Sequence, residues 1–349
     1  MTAYQLQEWA TRPFPRTYSK MVGANLVDPQ QASQGATDLL CFDTDANQGR
    51  VYASVHDGHL DDGTVVQGGP HPMGGGPIIG DSDWTHIVAG PLGKGKAQLL
   101  FYSASEGVGA FYGVQKNGNP QLIKRHTGWR TSWTHILAGN FIKDPRKVVS
   151  GGPPWHPTGV TTAPGPVLNE LLFYDAAAGQ AEFYSVGEDG SIKLIKTLSG
   201  WRGSWHTILK GNFSDSDFDD LLFYDKSAGH GEFYRNNGKG DIEQLSLHTN
   251  WRTSWDQVRA GAFELNGRYS GLIFHEEGSG HSEVYKTDGH GQIAQLNVNF
   301  GPVWLARGAH FQTILAGTFI GNGAGLLDDI CAYDPSAGAI SLFRYVPVI

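Results

Sequence analysis

Cysteine is nearly absent: Cys41 and Cys331 are the only two in 349 residues, which excludes a disulfide scaffold and a Cys-rich metal knuckle. Charge is sparse too. Asp, Glu, Lys and Arg make up 17% of the chain, against the ~25% of an average soluble domain. The balance is acidic, 34 against 26, for a formal charge of -8. Lys and Arg never gather into a run, so there is no footprint for phosphate backbones and nucleic acid is not an expected partner. No stretch reaches the ~18 apolar residues of a membrane span, so membrane insertion is not expected either. The opening MTAYQLQEWATRPF lacks a basic segment followed by an apolar one. No ordinary secretory leader is read there, and the expectation is a cytoplasmic protein or one released without a signal peptide. The usual catalytic signatures are missing as well. There is no Gly-x-Ser-x-Gly elbow and no phosphate-cradling loop, and HEEGSGH (275–281) lacks the zincin spacing.

Glycine and aromatic residues are plentiful. Gly numbers 48, and the chain carries 10 Trp and 13 Tyr, enough for a large core, so neither disorder nor a coiled coil is expected. A phrase repeats along the chain. Trp-x-x-Ile-x-x-Gly-x-Phe starts at Trp84, Trp133, Trp205 and Trp255, with Leu92 and Val258 as the only substitutions and degenerate copies at Tyr18 and Phe311. A second part reads DLLCFD (38–43), QLLFYS (98–103), ELLFYD (170–175), DLLFYD (220–225), GLIFHE (271–276) and DICAYD (329–334). A third reads GRVY (49–52), GAFY (109–112), AEFY (181–184), GEFY (231–234), SEVY (282–285) and ISLF (340–343). Each part is a short aromatic and β-branched run bounded by Gly, Asn and Asp, which reads as a strand between tight turns.

No helical period lasts beyond a turn or so. Four strands in a repeat of roughly 50 residues mark a propeller blade, and six copies predict an all-β, six-bladed β-propeller forming a single domain over 1–349. Fourth strands are expected near 62–67, 120–126, 191–197, 241–247 and 292–298. The sixth is expected from the N-terminal segment, where Tyr4 and Leu6 alternate with Gln5 and Gln7; this closes the ring without a long open edge. Gly/Pro-rich inserts at 67–83 and 143–169 read as surface loops. Cys41 aligns with Phe223 and Cys331 with Leu222, so the two thiols should be free, buried and on opposite faces of equivalent strands.

Three blades open with one pentapeptide pattern: WRTSW (129–133), WRGSW (201–205) and WRTSW (251–255). The same three carry Glu182, Glu232 and Glu283 in the third strand. The others have Arg50, Ala110 and Ser341 there, with Pro15, Asp81 and Gly308 at the Arg position. Arg and Glu are thus present or absent together. A structural ion pair at the seams between blades would explain this, because losing one partner would strand the other. A sugar pocket would also explain it, since a pyranose offers an apolar face for an aromatic ring and hydroxyls for a charged donor and acceptor. The two readings are compatible. Trp129, Trp201 and Trp251 would form apolar walls, and Arg130, Arg202 and Arg252 would donate to hydroxyls. Glu182, Glu232 and Glu283 would accept from hydroxyls or hold the arginines. Ser132, Ser204 and Ser254 would add hydrogen bonds, and Tyr184, Tyr234 and Tyr285 share a strand face with the glutamates.

The phrase Trp-Arg-x-Ser-Trp…Gly-Asn-Phe…Asp-Leu-Leu-Phe-Tyr-Asp…Ala-Gly-x-Gly-Glu-Phe-Tyr resembles the repeat of the Photorhabdus-type β-propeller lectins. The likeness spans 16–346 and is sharp from about 129 to 285. The family's propellers have seven blades against six here. The resemblance implies a non-enzymatic, multivalent, homo-oligomeric lectin that binds glycans on glycoproteins or glycolipids, fucose or O-methylated sugars among them, at seams bearing the three Trp-Arg pairs, without a cofactor.

Asp215, Asp217 and Asp219 alternate ahead of a strand, a spacing that resembles an oxygen-rich calcium loop. The other repeats do not keep it, and a solvated turn is the expectation. His86, His135 and His206, and likewise His126 and His248, recur by repeat and read as structural. The enzyme alternative is a glycan hydrolase or lyase with an asymmetric site near the 143–169 insert, where Trp155 and His156 would be suspected. A third reading is a protein-interaction scaffold.

Overall fold

The computed structural model describes residues 3–15, 17–26, 37–46, 48–55, 59–60, 83–93, 96–114, 120–142, 170–265, 267–320 and 327–348. It is a six-bladed β-propeller, as the repeat count predicts. The chain begins with β1 (Ala3–Pro13). Blade 1 then holds β2 (Lys20–Ala24), β3 (Asp38–Asp43) and β4 (Gln48–Tyr52), followed by the short pair β5 (Ser54–Val55) and β6 (His59–Leu60). Blade 2 comprises β7 (His86–Leu92), β8 (Lys96–Ser103), β9 (Val108–Val114) and β10 (Pro120–His126). Blade 3 has β11 (His135–Gly139), β12 (Glu170–Asp175), β13 (Gln180–Val186) and β14 (Ile192–Ser199). Blade 4 has β15 (Thr207–Gly211), β16 (Asp220–Asp225), β17 (His230–Asn236) and β18 (Ile242–His248). Blade 5 has β19 (Gln257–Gly261), β20 (Gly271–His275), β21 (Ser282–Thr287) and β22 (Ile293–Gln295). After β23 (Asn297–Asn299) and the helix α1 (Gly301–Arg307) comes blade 6, with β24 (Thr313–Gly317), β25 (Asp329–Asp334) and β26 (Ala339–Val348). The innermost strands touch in the cyclic order β2, β7, β11, β15, β19, β24 and back to β2.

Burial on both faces explains the near-continuous apolar second strands. Leu171 and Phe173 of β12 enter the core shared with blade 2, while Leu172 and Tyr174 enter the one shared with blade 4. The same alternation decides the cysteines. Cys41 and Cys331 lie on opposite faces of equivalent strands, and because blades 1 and 6 are neighbours both thiols enter one buried cluster with Tyr18, Tyr52 and Tyr333. Both are free.

The N-terminal strand closes blade 6. β1 runs antiparallel to β26, Ala3 opposite Val348, with Tyr4 and Leu6 buried. One register differs from expectation. The segment 292–298 does not stay in blade 5: β22 ends at Gln295, and β23 crosses to pair parallel with β1, giving blade 6 a fifth strand. Phe300-Gly301-Pro302 then turns the chain into α1, too short for its period to register in the sequence and buried chiefly through Trp304. The fourth strand expected near 62–67 and most of both inserts, with Asp81, Trp155 and His156, lie outside the described residues.

A two-bond clasp joins the blades near the axis. The Asn140 carbonyl accepts from the Asp219 N–H, and the Asn140 N–H donates to the Asp219 carboxylate at 2.8 Å. Asn212 with Ser270, Ala262 with Asp328 and Thr318 with Thr37 repeat it. The donors follow the Gly of the Gly-x-Phe motif, which gives that motif its role.

Candidate functional site

The Trp-Arg-x-Ser-Trp segments cross from the outer strand of one blade to the inner strand of the next. Their entry is fixed by a turn. The N–H groups of Trp129, Trp201 and Trp251 donate to the carbonyls of Gly107, Gly179 and Gly229 at 2.9–3.0 Å. Gly179 has φ 59, and a Cβ there would stand 2.5 Å from the Trp201 carbonyl oxygen, so both the left-handed backbone and the close approach require glycine.

The leading tryptophans wedge into the seams. Trp129 stands edge-on to Phe173 at 5.4 Å, Trp201 to Phe223 at 4.9 Å and Trp251 to Phe274 at 4.9 Å. Each is half-buried, leaving part of the indole on the surface. Gly109 and Gly231 form a flat floor for Trp129 and Trp251, and Ala181 takes that position in the Trp201 cluster.

Arginine and glutamate meet in all three seams. Arg130 Nη2 lies 2.6 Å from Glu182 Oε1, Arg202 bonds Glu232 directly, and Arg252 Nη2 lies 3.3 Å from Glu283 Oε1. Each Glu therefore faces the seam its blade shares with the preceding blade. The carboxylates are deep, 6%, 2% and 14% exposed, whereas the arginines are 42%, 44% and 52% exposed. Each guanidinium also lies over the closing tryptophan of its pentapeptide, 4.8 Å from Trp133, 4.9 Å from Trp205 and 5.4 Å from Trp255. A cation held on an aromatic face keeps its planar fork partly open to solvent.

Tyr184, Tyr234 and Tyr285 donate to the second oxygen of the same carboxylates. Burial, and then the neighbouring carboxylate, push all three phenols up, so they stay protonated donors. Burial pushes the Glu283 carboxyl up, but Tyr285, His281 and the Arg252 charge outweigh it and hold it below its usual range. The serines are otherwise engaged: Ser132 and Ser204 donate to Asp175 and Asp225 in the adjoining turns. Blade 5 has Glu276 there, and Ser254 makes no such bond among the described residues.

Several partners were not read from the sequence. Tyr102, Tyr174 and Tyr224 donate across the seam to the backbone carbonyls of Arg130, Arg202 and Arg252, fixing the segments from the preceding blade. Their signal was the recurrent Phe-Tyr of the second strand. The residue two before each Glu also reaches the pair: Gln180 accepts from Arg130, His230 lies 3.4 Å from Arg202, and His281 lies 2.9 Å from Glu283. A fourth arginine sits between blades 5 and 6, where alignment puts Gly308. Displaced by α1, Arg307 bonds Asp334 at 3.1 Å and Ser341 at 3.2 Å and is only 23% exposed.

The acidic loop is spoken for. Asp215 pairs with Arg268 and accepts from Tyr269, and Asp219 accepts from Asn140. Among the described residues no three His, Cys, Asp or Glu gather in a group that could hold a metal. The recurrent histidines staple blades. His86 and His135 reach the Thr134 and His206 carbonyls of the next blade, and His126 and His248 reach those of Gly190 and Gly291.

No family model matches the chain, and no curated protein matches it. Solved structures do. A structure of BBS1N in complex with ARL6DN is 12% identical, covers 97% of this chain and 96% of its own, and superposes with a TM-score of 0.51. A protein from Lactobacillus plantarum is 13% identical, covering 91% of this chain and 83% of its own, with a TM-score of 0.44. At such identities the likeness concerns the fold alone. Among the described residues no helix is long and apolar enough to cross a membrane.

Proposed function

We propose that the protein is a multivalent carbohydrate-binding lectin, with sites at the seams between blades 2 and 3, 3 and 4, and 4 and 5. One observation carries the reading. In each seam a half-exposed guanidinium lies on an indole, over a nearly buried carboxylate and beside a second, half-buried tryptophan. Purely structural ion pairing would be served by the closed arrangement of Arg307 and Asp334, which the ring also contains. The open seams instead present an apolar edge beside guanidinium N–H donors that the carboxylate does not use, which suits a sugar's apolar face and hydroxyls. Fucosylated and O-methylated glycans are the first candidates, through the sequence resemblance.

Several weak sites on one rigid ring raise avidity by about 10²–10⁴ on a glycan-coated surface. The test is a glycan array with labelled protein, with and without chelator. Selective binding that survives chelation supports a metal-independent lectin. A blank array overturns the reading and turns attention to the 143–169 insert.

A further inference from the structure

The three seams are not chemically equal, and the residue two before each glutamate makes the difference. Strand alternation puts it on the same face as Glu and Tyr: Gln180, Glu182 and Tyr184; His230, Glu232 and Tyr234; His281, Glu283 and Tyr285. In the seam between blades 2 and 3 both ends of the Arg130 fork are committed, Nη1 to Gln180 and Nη2 to Glu182. The seam between blades 4 and 5 is arranged otherwise. His281 lies flat on Trp255, rings 5.6 Å apart and inclined by 17°, and its Nε2 donates to Glu283 Oε1 at 2.9 Å. Tyr285 holds Oε2 at 2.5 Å. Both oxygens of Glu283 thus have donors besides the arginine. Arg252 stands back at 3.3 Å, farther over its indole than the other two and the most exposed of the three.

From this arrangement we infer that the seam between blades 4 and 5 binds an acidic group on a glycan, a carboxylate or a sulfate ester, through Arg252. The seam between blades 2 and 3 takes neutral sugar. A guanidinium whose counter-charge is satisfied elsewhere is a ready bidentate receptor for a planar or tetrahedral oxyanion. A guanidinium with a hydrogen bond already made from each Nη keeps single N–H donors for a hydroxyl but no free fork for an oxyanion. The inference rests on the lectin reading and names the ligand class of one of its sites.

The test is an array of matched glycans, lactose and fucosyllactose with their sialylated and 3′-sulfated counterparts, probed with the full chain and four variants. Arg130→Ala/Arg202→Ala leaves only the seam between blades 4 and 5, and should bind the acidic members at least about tenfold better than the neutral ones. That binding should weaken between about 0.05 and 0.5 M salt. Arg252→Ala should lose acidic binding and keep neutral binding. Arg252→Lys, which keeps the charge without the fork, should lose most of the preference. His281→Gln, installing the residue that blade 3 carries, should draw Arg252 back onto Glu283 and reduce the preference by about threefold or more. Acidic binding that persists in Arg252→Ala, or equal binding of neutral and acidic glycans by the double variant, overturns this inference while leaving a lectin. A full chain that binds no glycan overturns the lectin reading itself.

Discussion

Trp201 and Arg202 contribute to their seam in different ways, and substitution separates them. Trp201→Ala removes an apolar wall that also packs on Phe223 and Tyr174. It should abolish one proposed sugar site and lower stability by about 1–3 kcal/mol, less than a fully buried tryptophan would cost. Arg202→Ala should abolish the same proposed site and, by leaving the nearly buried Glu232 carboxylate without its counter-charge, cost about 1–3 kcal/mol. Tyr234 and Gln244 still donate to Glu232. Calorimetric titration beside thermal unfolding checks both. A large loss of stability in either variant with sugar binding unchanged would favour a purely structural pair.

Single residues also set the response to pH. Burial pushes the Asp329 carboxyl up to about 8, and those of Asp220 and Asp328 up to about 6. Above the ordinary carboxylate pKa of about 4, the folded chain holds protons on these groups that the unfolded chain releases, so stability falls as pH rises toward 8. His275 acts in the opposite sense: burial lowers it to about 4. Below the ordinary histidine pKa of about 6.5 the unfolded chain binds more protons, so stability falls as pH drops. Three carboxyls outweigh one histidine, so on these four groups Tm should fall from about pH 4 toward pH 8. Asp329→Asn keeps the acceptor for the Ile320 N–H and should raise Tm at pH 8 more than at pH 5. Parallel Tm–pH curves for the two proteins would refute the assignment.

Among the elements, strands were legible in the sequence where both faces are buried and illegible where backbone atoms decide. DLLFYD reads as a strand because every residue is buried and its four central side chains alternate between two cores. The clasp does not read at all, since Asp219, Ser270, Asp328 and Thr37 share only an oxygen acceptor at one position, not an identity. Arg307 was hidden because α1 shifts it one place from the aligned Gly308. The Arg–Glu pairing, by contrast, was visible as a correlation between repeats, whereas the seam each Glu faces needed the strand registers. Asp219→Ala should cost about 1–2 kcal/mol by stranding the Asn140 N–H, measurable by denaturant unfolding. Asp219→Ser, which supplies the hydroxyl used at Ser270, should recover most of that loss.

In the molecule as a whole, blade 6 is composite. Its three consecutive strands β24, β25 and β26 are completed by β1 and by β23, drawn from the opposite end of the chain and from the exit of blade 5. Removing residues 3–13 would strip β26 and β23 of their common partner. The truncated chain should then associate through the bared edges, visible as higher-mass species in light scattering, while the seams between blades 2 and 5 keep their residues. A monodisperse truncation that retains the parent Tm would show that β1 is dispensable for closure.

The pairing of Ala3 with Val348 also puts the ring on a timetable. Joining such distant segments adds little at equilibrium, since each doubling of a loop costs only about 0.6 kcal/mol. Its toll is on rate, because pairings remote in sequence form late. During synthesis β1 emerges long before its partner β26, so the ring cannot close until the last strand is made. The final β1–β26 zipper is therefore the step at which crowding and chaperones decide between a closed ring and a tangle of exchanged strands.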